Sequence, residues 1–520
     1  MDVDSLNVFL LVGALVLVAA VVASRFSIQL GLPSLVIYLL IGVAIGEAGF
    51  GVYFEDAGLA QALAFAALIV ILAEGGLSTR WDEVRSSFPV GLSLATVGVA
   101  ISTTIMALVG HYVLDLDWTL AVLLGAVFAP TDAAAVFSTL RRVPLTPRLS
   151  GALESEAGLN DAPTVVLVAL VSAGEVAERG VGEVAWIIAY ELAAGAVIGL
   201  AVGWLGAQVI RRAALPAVGL YPLLVMTLAL LAYSAGAVAH ASGFAAVYLA
   251  ALVLGNAALP HRAATRSFAE GLAWVSQIGL FVMLGLLSSP SNMPEAFVAA
   301  IVAGLALTLL ARPISVFIST IPFALSMPER AFLSWAGLRG AIPVVLATIP
   351  LADGTEDAAW LFAVVFIVAV VFTLLQAPPL PWLARYLGVG GDAVASETDV
   401  ESAPLDRLHA DLVQVRIPAR SQLHGVEIGE LRLPPNVAVA LVVRQDKSFV
   451  PTATTRLQHG DEMLIVAPRR LREATERRIR AVSRSGRLAG WFGDRGGRAT
   501  DDVVLRRGLN RLRRFGAARE

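Results

Sequence analysis

Residues Ala152–Leu167 read ALESEAGLNDAPTVVL. The second half of this stretch is apolar enough for lipid, yet Glu154, Glu156, Asn160 and Asp161 fall in or beside its first half. A carboxylate held at the centre of a bilayer costs at least about 3 kcal/mol, so such groups face a bundle interior or a wet path and mark routes for ions and protons. Whether these acids lie in a membrane therefore decides how the whole chain is read.

The rest of the sequence puts them there. Only 15% of the 520 residues are charged and 57% are apolar, against about 25% charged in a soluble domain. Mean hydropathy is +0.76. Thirteen apolar runs, at 6–24, 33–50, 58–77, 89–113, 118–140, 149–174, 183–210, 220–238, 242–258, 268–288, 294–320, 329–351 and 358–383, are each near the ~20 residues that a helix needs to span the hydrocarbon core. Alternate loops carry Arg25, then Arg80 and Arg85, Arg141, Arg142 and Arg148, Arg211 and Arg212, Arg262 and Arg266, Arg330, and Arg385. The intervening loops carry Arg179 and acids such as Glu55, Asp56, Asp115, Asp117, Asp353 and Asp357. By the positive-inside rule the N-terminus is outside and the C-terminus cytoplasmic, which an odd number of spans satisfies. The opening MDVDSLN lacks the basic start of a cleaved signal, so the first run is expected to stay as a membrane helix. The absence of cysteine excludes disulfides and thiolate metal sites.

Composition changes after Pro381. Residues 1–387 are expected to form the membrane domain and 388–410 a linker. A small cytoplasmic α/β unit follows over 411–470, and an Arg-rich tail over 471–520. In the small unit LVQVRIP, VAVALVV, SFVPT and DEMLIVAP read as strands, GVEIGELRL as a helix and RRLREATERRIRAV as a closing helix. About 70 residues fold alone only marginally, so dimerisation is expected. The tail segment DDVVLRRGLNRLRRFG fits either an amphipathic helix on anionic lipid or a solvated basic tail.

Four groups of polar residues interrupt the apolar runs. Glu74 lies in ILAEGGLS, near the cytoplasmic end of the third run. Thr131 and Asp132 lie in FAPTDAAAVF, where Pro130 removes a backbone donor and disfavours helix at Ala129, predicting a broken fifth span. Unwound backbone at membrane depth is tolerated where it is buried in protein or lines a cavity, and there it can hold cations. On a helix over 149–174 the polar residues form two stripes, Glu154–Ala157–Asp161 and Glu156–Asn160. Arg339 lies mid-span in WAGLRGAIPVVLA, with Gly340 and Pro343 marking a second break. Its guanidinium cannot lose its proton, so a carboxylate partner is expected, Glu156 or Glu154. Arg312 needs a partner too. The two breaks are seven spans apart, as in a transporter built from two inverted six-helix repeats around a midplane site.

LAEGGL (72–77), APTDAAAV (129–136), ESEAGLNDAP (154–163) and GLRGAIPVVLA (337–347) together resemble the monovalent cation/proton antiporter superfamily, in its sodium/proton-exchanger-like branch with an Asn-Asp pair. The cytoplasmic unit resembles a TrkA-C (RCK C-terminal) domain, a pairing similar to bacterial potassium/proton antiporters of the cell-volume-regulation type. The resemblance implies an all-α polytopic membrane domain with two broken crossing helices. It makes Asp161 the carrier of cation or proton, with Thr131 and Asp132 contributing at the crossing. Asn160 would take the place where electrogenic relatives carry a second Asp. Glu156 and Arg339 would form a structural ion pair, and Glu74 would line a cytoplasmic funnel. Relatives often have Ser where Ala157 stands, so one oxygen is missing from this stripe.

Read this way, the chain is no enzyme. It is expected to exchange K+, ahead of Na+, for H+ electroneutrally across the cytoplasmic membrane as a homodimer in lipid. No resident cofactor and no nucleic acid are expected, and a nucleotide or cyclic dinucleotide is a candidate regulator of the small unit. The rival readings are a ligand-gated cation channel, against which the lack of a TVGYG-like filter argues, and an intramembrane hydrolase using Asp132 and Asp161.

Overall fold

The protein was analysed as a computed structural model, which describes residues 3–486 apart from 31–33, 48, 52–53, 55, 133–144, 214, 289–292, 391–399, 406–409, 419–420 and 446. The chain divides into two units, Met1–Gly391 and Asp392–Glu520.

The first unit is helical. It opens with α1 (Val3–Leu30) and α2 (Ser34–Ile45). The next helix, α3 (Ala57–Ser78), starts where the Asp56 carboxylate accepts from the Leu59 amide at 2.8 Å. α4 (Phe88–Tyr112) contains a π-helical turn at Leu94–Gly98. α5 (Trp118–Phe128) is capped by Asp117, which accepts from the Thr119 and Leu120 amides at 2.8 and 3.3 Å. These loop acids thus satisfy the orphan N–H groups of helix starts. α6 (Pro147–Leu159), α7 (Asp161–Ser172), α8 (Val181–Arg212), α9 (Leu220–Val238), α10 (Gly243–Asn256) and α11 (Arg262–Leu287) follow. α12 (Met293–Ser319) carries a second π-helical turn at Leu307–Ala311. α13 (Met327–Trp335), α14 (Ala341–Asp353), α15 (Ala358–Gln376) and α16 (Leu380–Tyr386) complete the unit.

Every apolar run contains helix. Of the described helices, α3, α4, α8, α9, α11, α12 and α15 are long and apolar enough to cross a membrane. Backbones approach closely where small residues allow it. On α8, a Cβ at Gly195, Gly199 or Gly203 would strike the α10 backbone at Ser242, Ala246 and Ala250 in turn, an i, i+4 match on both helices. The two π-turned helices pack on each other reciprocally. Residues 312–319 lie against the π turn of α4, and residues 99–112 lie against that of α12.

Two interruptions meet inside this unit. α5 stops at Phe128, two residues before Pro130, and the half-helix expected after Asp132 falls on residues 133–144, outside the described residues. α13 ends at Trp335 and α14 begins at Ala341, leaving 336–340 unwound. The Asp132 amide donates to the Leu338 carbonyl at 2.9 Å, so the two breaks are joined backbone to backbone. Thr373 Oγ1 donates to the Arg339 carbonyl at 2.9 Å, tying the second break to α15. A third interruption differs from the continuous helix expected over 149–174. Pro163 has no N–H to give the Leu159 carbonyl, and the helix divides at Asn160 into α6 and α7. Thr164 Oγ1 instead donates to the Asn160 and Asp161 carbonyls at 3.0 and 2.8 Å.

The second unit holds β1 (Val400–Leu405), β2 (Ala410–Arg416), β3 (Ala438–Arg444), β4 (Lys447–Phe449), β5 (Glu462–Pro468) and α17 (Arg472–Ser485). The strands form one sheet in the order β1-β2-β5-β3-β4, every pairing antiparallel. Val413, Val415, Val442, Met463, Ile465, Ile479 and Val482 form its core. Sheet and helix extend to Val400 and Ser485, past both ends of 411–470, because β1 pairs with β2 inside the stretch read as linker. GVEIGELRL contributes only a short 3-10 turn, Ile428–Leu431, in place of the expected helix. Asp461 is fully buried and binds Arg444 twice, from Nε and Nη2, both at 2.8 Å. The amphipathic tail segment lies outside the described residues.

Candidate functional site

Because α6 ends at Asn160, Asp161 opens α7 beside the point where the two unwound segments join. Asp161 is 1% exposed, and neither of its carboxylate oxygens has a hydrogen-bond partner among the described residues. An unpaired polar group is expensive to bury, and a charge far more so. Its neighbour Asn160 is turned differently: Asn160 Nδ2 donates to Thr131 Oγ1 at 2.8 Å, latching the α6–α7 interruption onto the first break. Asp132 is buried on the other side of that break. A Cβ at Gly340 would collide with its carboxylate, so glycine is what lets the second break come this close.

Asp161 and Asp132 line a cavity of about 390 Å³. Its wall also carries Glu74, Glu154 and Ala157, so the stripe Glu154–Ala157–Asp161 faces one space. Glu74 accepts from Ser78 Oγ at 2.5 Å. Five carboxylates line this cavity, with no Lys, Arg or His among the lining residues. Such a lining focuses negative potential and raises the local concentration of cations. Oxygen donors of this kind, carboxylate and hydroxyl, suit hard cations and no soft metal.

Glu156 faces the opposite way, but its partner is Arg312 and not Arg339. Arg312 Nη1 and Nη2 bind the two Glu156 oxygens at 2.5 and 2.9 Å, and Nη2 also donates to the Leu333 carbonyl at 3.2 Å. Both residues are at most 3% exposed. The expected Glu156–Arg339 contact is not formed, because Arg312 takes both Glu156 oxygens. It follows directly on the π turn of α12, which shifts the helix face it presents, and it lies over Gly337, where a Cβ would strike its Nε. Arg339 donates from Nη1 to the Gly337 carbonyl at 3.3 Å, and its Nε and Nη2 are buried without a partner among the described residues.

Among the polar residues of the cavity wall that the sequence does not single out are Tyr248 from α10, and Glu270 and Gln277 from α11. A signal for the last two is present. Glu270, Ala273, Trp274 and Gln277 are spaced i, i+3, i+4, i+7, and all four line the cavity. Tyr248, an aromatic residue in an apolar run, carries no such mark.

Both units of the chain have known relatives. Residues 13–386 match the family described as sodium/hydrogen exchanger, transmembrane, and residues 412–486 match the TrkA-C domain. The chain is 34% identical over 503 residues to the K(+)/H(+) antiporter NhaP2 of Shewanella baltica, covering 95% of this chain and 87% of the relative. It is 33% identical over 417 residues to the K(+)/H(+) antiporter NhaP of Alkalimonas amylolytica, covering 79% and 71%. Among solved structures, the sodium proton antiporter MjNhaP1 of Methanocaldococcus jannaschii shares the fold, with a TM-score of 0.63 at 22% identity over 72% of this chain and 99% of that one.

Proposed function

The chain belongs to the sodium/hydrogen exchanger family, and from that premise we propose that it exchanges a monovalent cation, K+ ahead of Na+, for H+ across the cytoplasmic membrane. The observation that carries the reading is Asp161, buried without a partner among the described residues on the wall of a cavity whose charged residues are all acidic, where two unwound segments join. A carboxylate in that position must be neutralised, and a proton or a cation does so equally. Each excludes the other, which is exchange provided the empty site does not cross. Asp161 holds the cargo, Asp132 and Thr131 complete the oxygen set, and Asn160 keeps Thr131 in place. Because Asn160 is an uncharged amide, one cation leaves for one proton and the cycle is electroneutral.

The scaffold for this cycle is two inverted six-helix repeats, thirteen spans in all, with α8 as the connector. The reciprocal packing of the π-turned helices α4 and α12 supports it, since these are the fourth and eleventh spans and are seven apart, like the two breaks. Alternating access moves Asp161 between the two sides of the membrane. The N-terminus is outside and the C-terminus cytoplasmic. The protein works as a homodimer in lipid, and its TrkA-C unit, with a nucleotide or cyclic dinucleotide as ligand, sets the rate.

The test is dequenching of a pH dye in everted vesicles, titrated with K+ and with Na+, for wild type and Asp161→Asn. A cation-dependent signal lost in the variant is expected; no cation response in wild type, or an unchanged one in the variant, defeats the reading. A flux that is not coupled to protons points to a channel instead.

A further inference from the structure

Glu154 is the acid of the opening stretch to which the resemblance assigns no role. It precedes Asp161 by seven residues, a backbone rise of about 10 Å, because Asn160 keeps helical dihedrals (φ −75°, ψ −21°) where α6 gives way to α7. Gly158 lies between them on the same face, four residues after Glu154 and three before Asp161. All three line the cavity, and so does Tyr248 of α10. The Tyr248 ring and hydroxyl cover Gly158 so closely that any Cβ there would collide with them. The phenol therefore stands between the two carboxylates.

Glu154 forms no ion pair among the described residues, in contrast to Glu156 two positions on. With a backbone rise of about 10 Å and the Tyr248 phenol over Gly158 between them, the two acids form separate positions along the cavity wall. The buried oxygens of Asp161 have no hydrogen-bond partner among the described residues, which leaves them open to the ion.

We propose that Glu154, with the Tyr248 hydroxyl beside it, is an outer station for the transported monovalent cation, occupied before the ion passes the phenol to reach Asp161. This rests on the reading of Asp161 as the exchange carboxylate. At the outer station the ion keeps part of its hydration shell, so the missing hydroxyl at Ala157 matters little there. Glu154 thereby sets how readily the cation is collected, whereas Asp161 sets whether it is exchanged.

The experiment uses the full-length protein in proteoliposomes, with exchange followed against the concentration of the cation that wild type prefers. Glu154→Gln is expected to raise the apparent KM about fivefold, as loss of one charge at this range predicts, and to leave Vmax near the wild-type value. The difference narrows as ionic strength is raised with a large organic cation, because screening replaces what the carboxylate supplied. Glu154→Ser, also neutral and smaller, is read in the same way should the Gln variant not reach the membrane. An unchanged KM, or a Vmax that falls while KM stays put, overturns the outer station. A wild type that responds to no cation instead defeats the antiport reading itself, so the two failures are distinct.

Discussion

Glu156 and Asp161 are five residues apart in sequence, both carboxylates and both 1% exposed, yet they meet opposite surroundings. Glu156 has a guanidinium gripping both oxygens. Asp161 has an acidic cavity and no partner among the described residues. A buried carboxylate with a full set of donors is a joint: its charge is matched permanently and nothing else can bind it. A buried carboxylate without one is costly unless a proton or a cation neutralises it. The lesson is that burial alone does not tell whether an acid's charge is matched; the partner does.

The contrast can be tested from its strongest consequence downwards. Asp161→Asn is expected to abolish cation-driven proton exchange while the protein still reaches the membrane and melts in detergent near the wild-type temperature. Arg312→Ala should do the reverse: it strands Glu156 and costs about 3–5 kcal/mol, read as a large drop in melting temperature and in yield. A wild-type melt in Arg312→Ala would mean that Glu156 is held by something other than that pair. Thr131→Val removes the acceptor of Asn160 Nδ2, and an orphaned buried donor costs about 1–3 kcal/mol. Slowed exchange with a modest fall in melting temperature is the expected result. Arg339→Met should be the mildest in stability: it loses the hydrogen bond to Gly337 but also removes two buried donors, Nε and Nη2, that have no partner among the described residues. If Arg339→Met destabilises more than Arg312→Ala, the assignment of the Glu156 partner is wrong.

Much of this site was legible in the chain. Prolines and glycines at 130, 340 and 343 announced the two breaks, and ionisable residues in apolar runs pointed to Glu74, Asp132, Asp161 and Arg339. Periodicity also separated the stripe of Glu154 and Asp161 from that of Glu156 and Asn160, and the cavity lining follows that division. Other features were not legible. Pro163 was visible, but not that it would divide the helix at Asn160. Glu270 and Gln277 were passed over although their spacing was a signal. β1 was hidden in a polar stretch because an edge strand needs a neighbour to define it, and β2 is that neighbour.

The sequence by itself determined that the protein is a helical membrane chain with charges in its interior, because apolar length and the cost of buried charge are properties of segments. It also determined which residues would carry those charges and where two of the three interruptions, at Pro130 and Gly340, would fall. Only the tertiary structure decided which charge meets which. The sequence points to Arg339 as a partner for Glu156 or Glu154 and names none for Arg312. The choice fell to Arg312 because the π turn before it presents it to α6 and Gly337 leaves room for its guanidinium. Pairing depends on the facing and spacing of distant helices, and no periodicity within one helix encodes that.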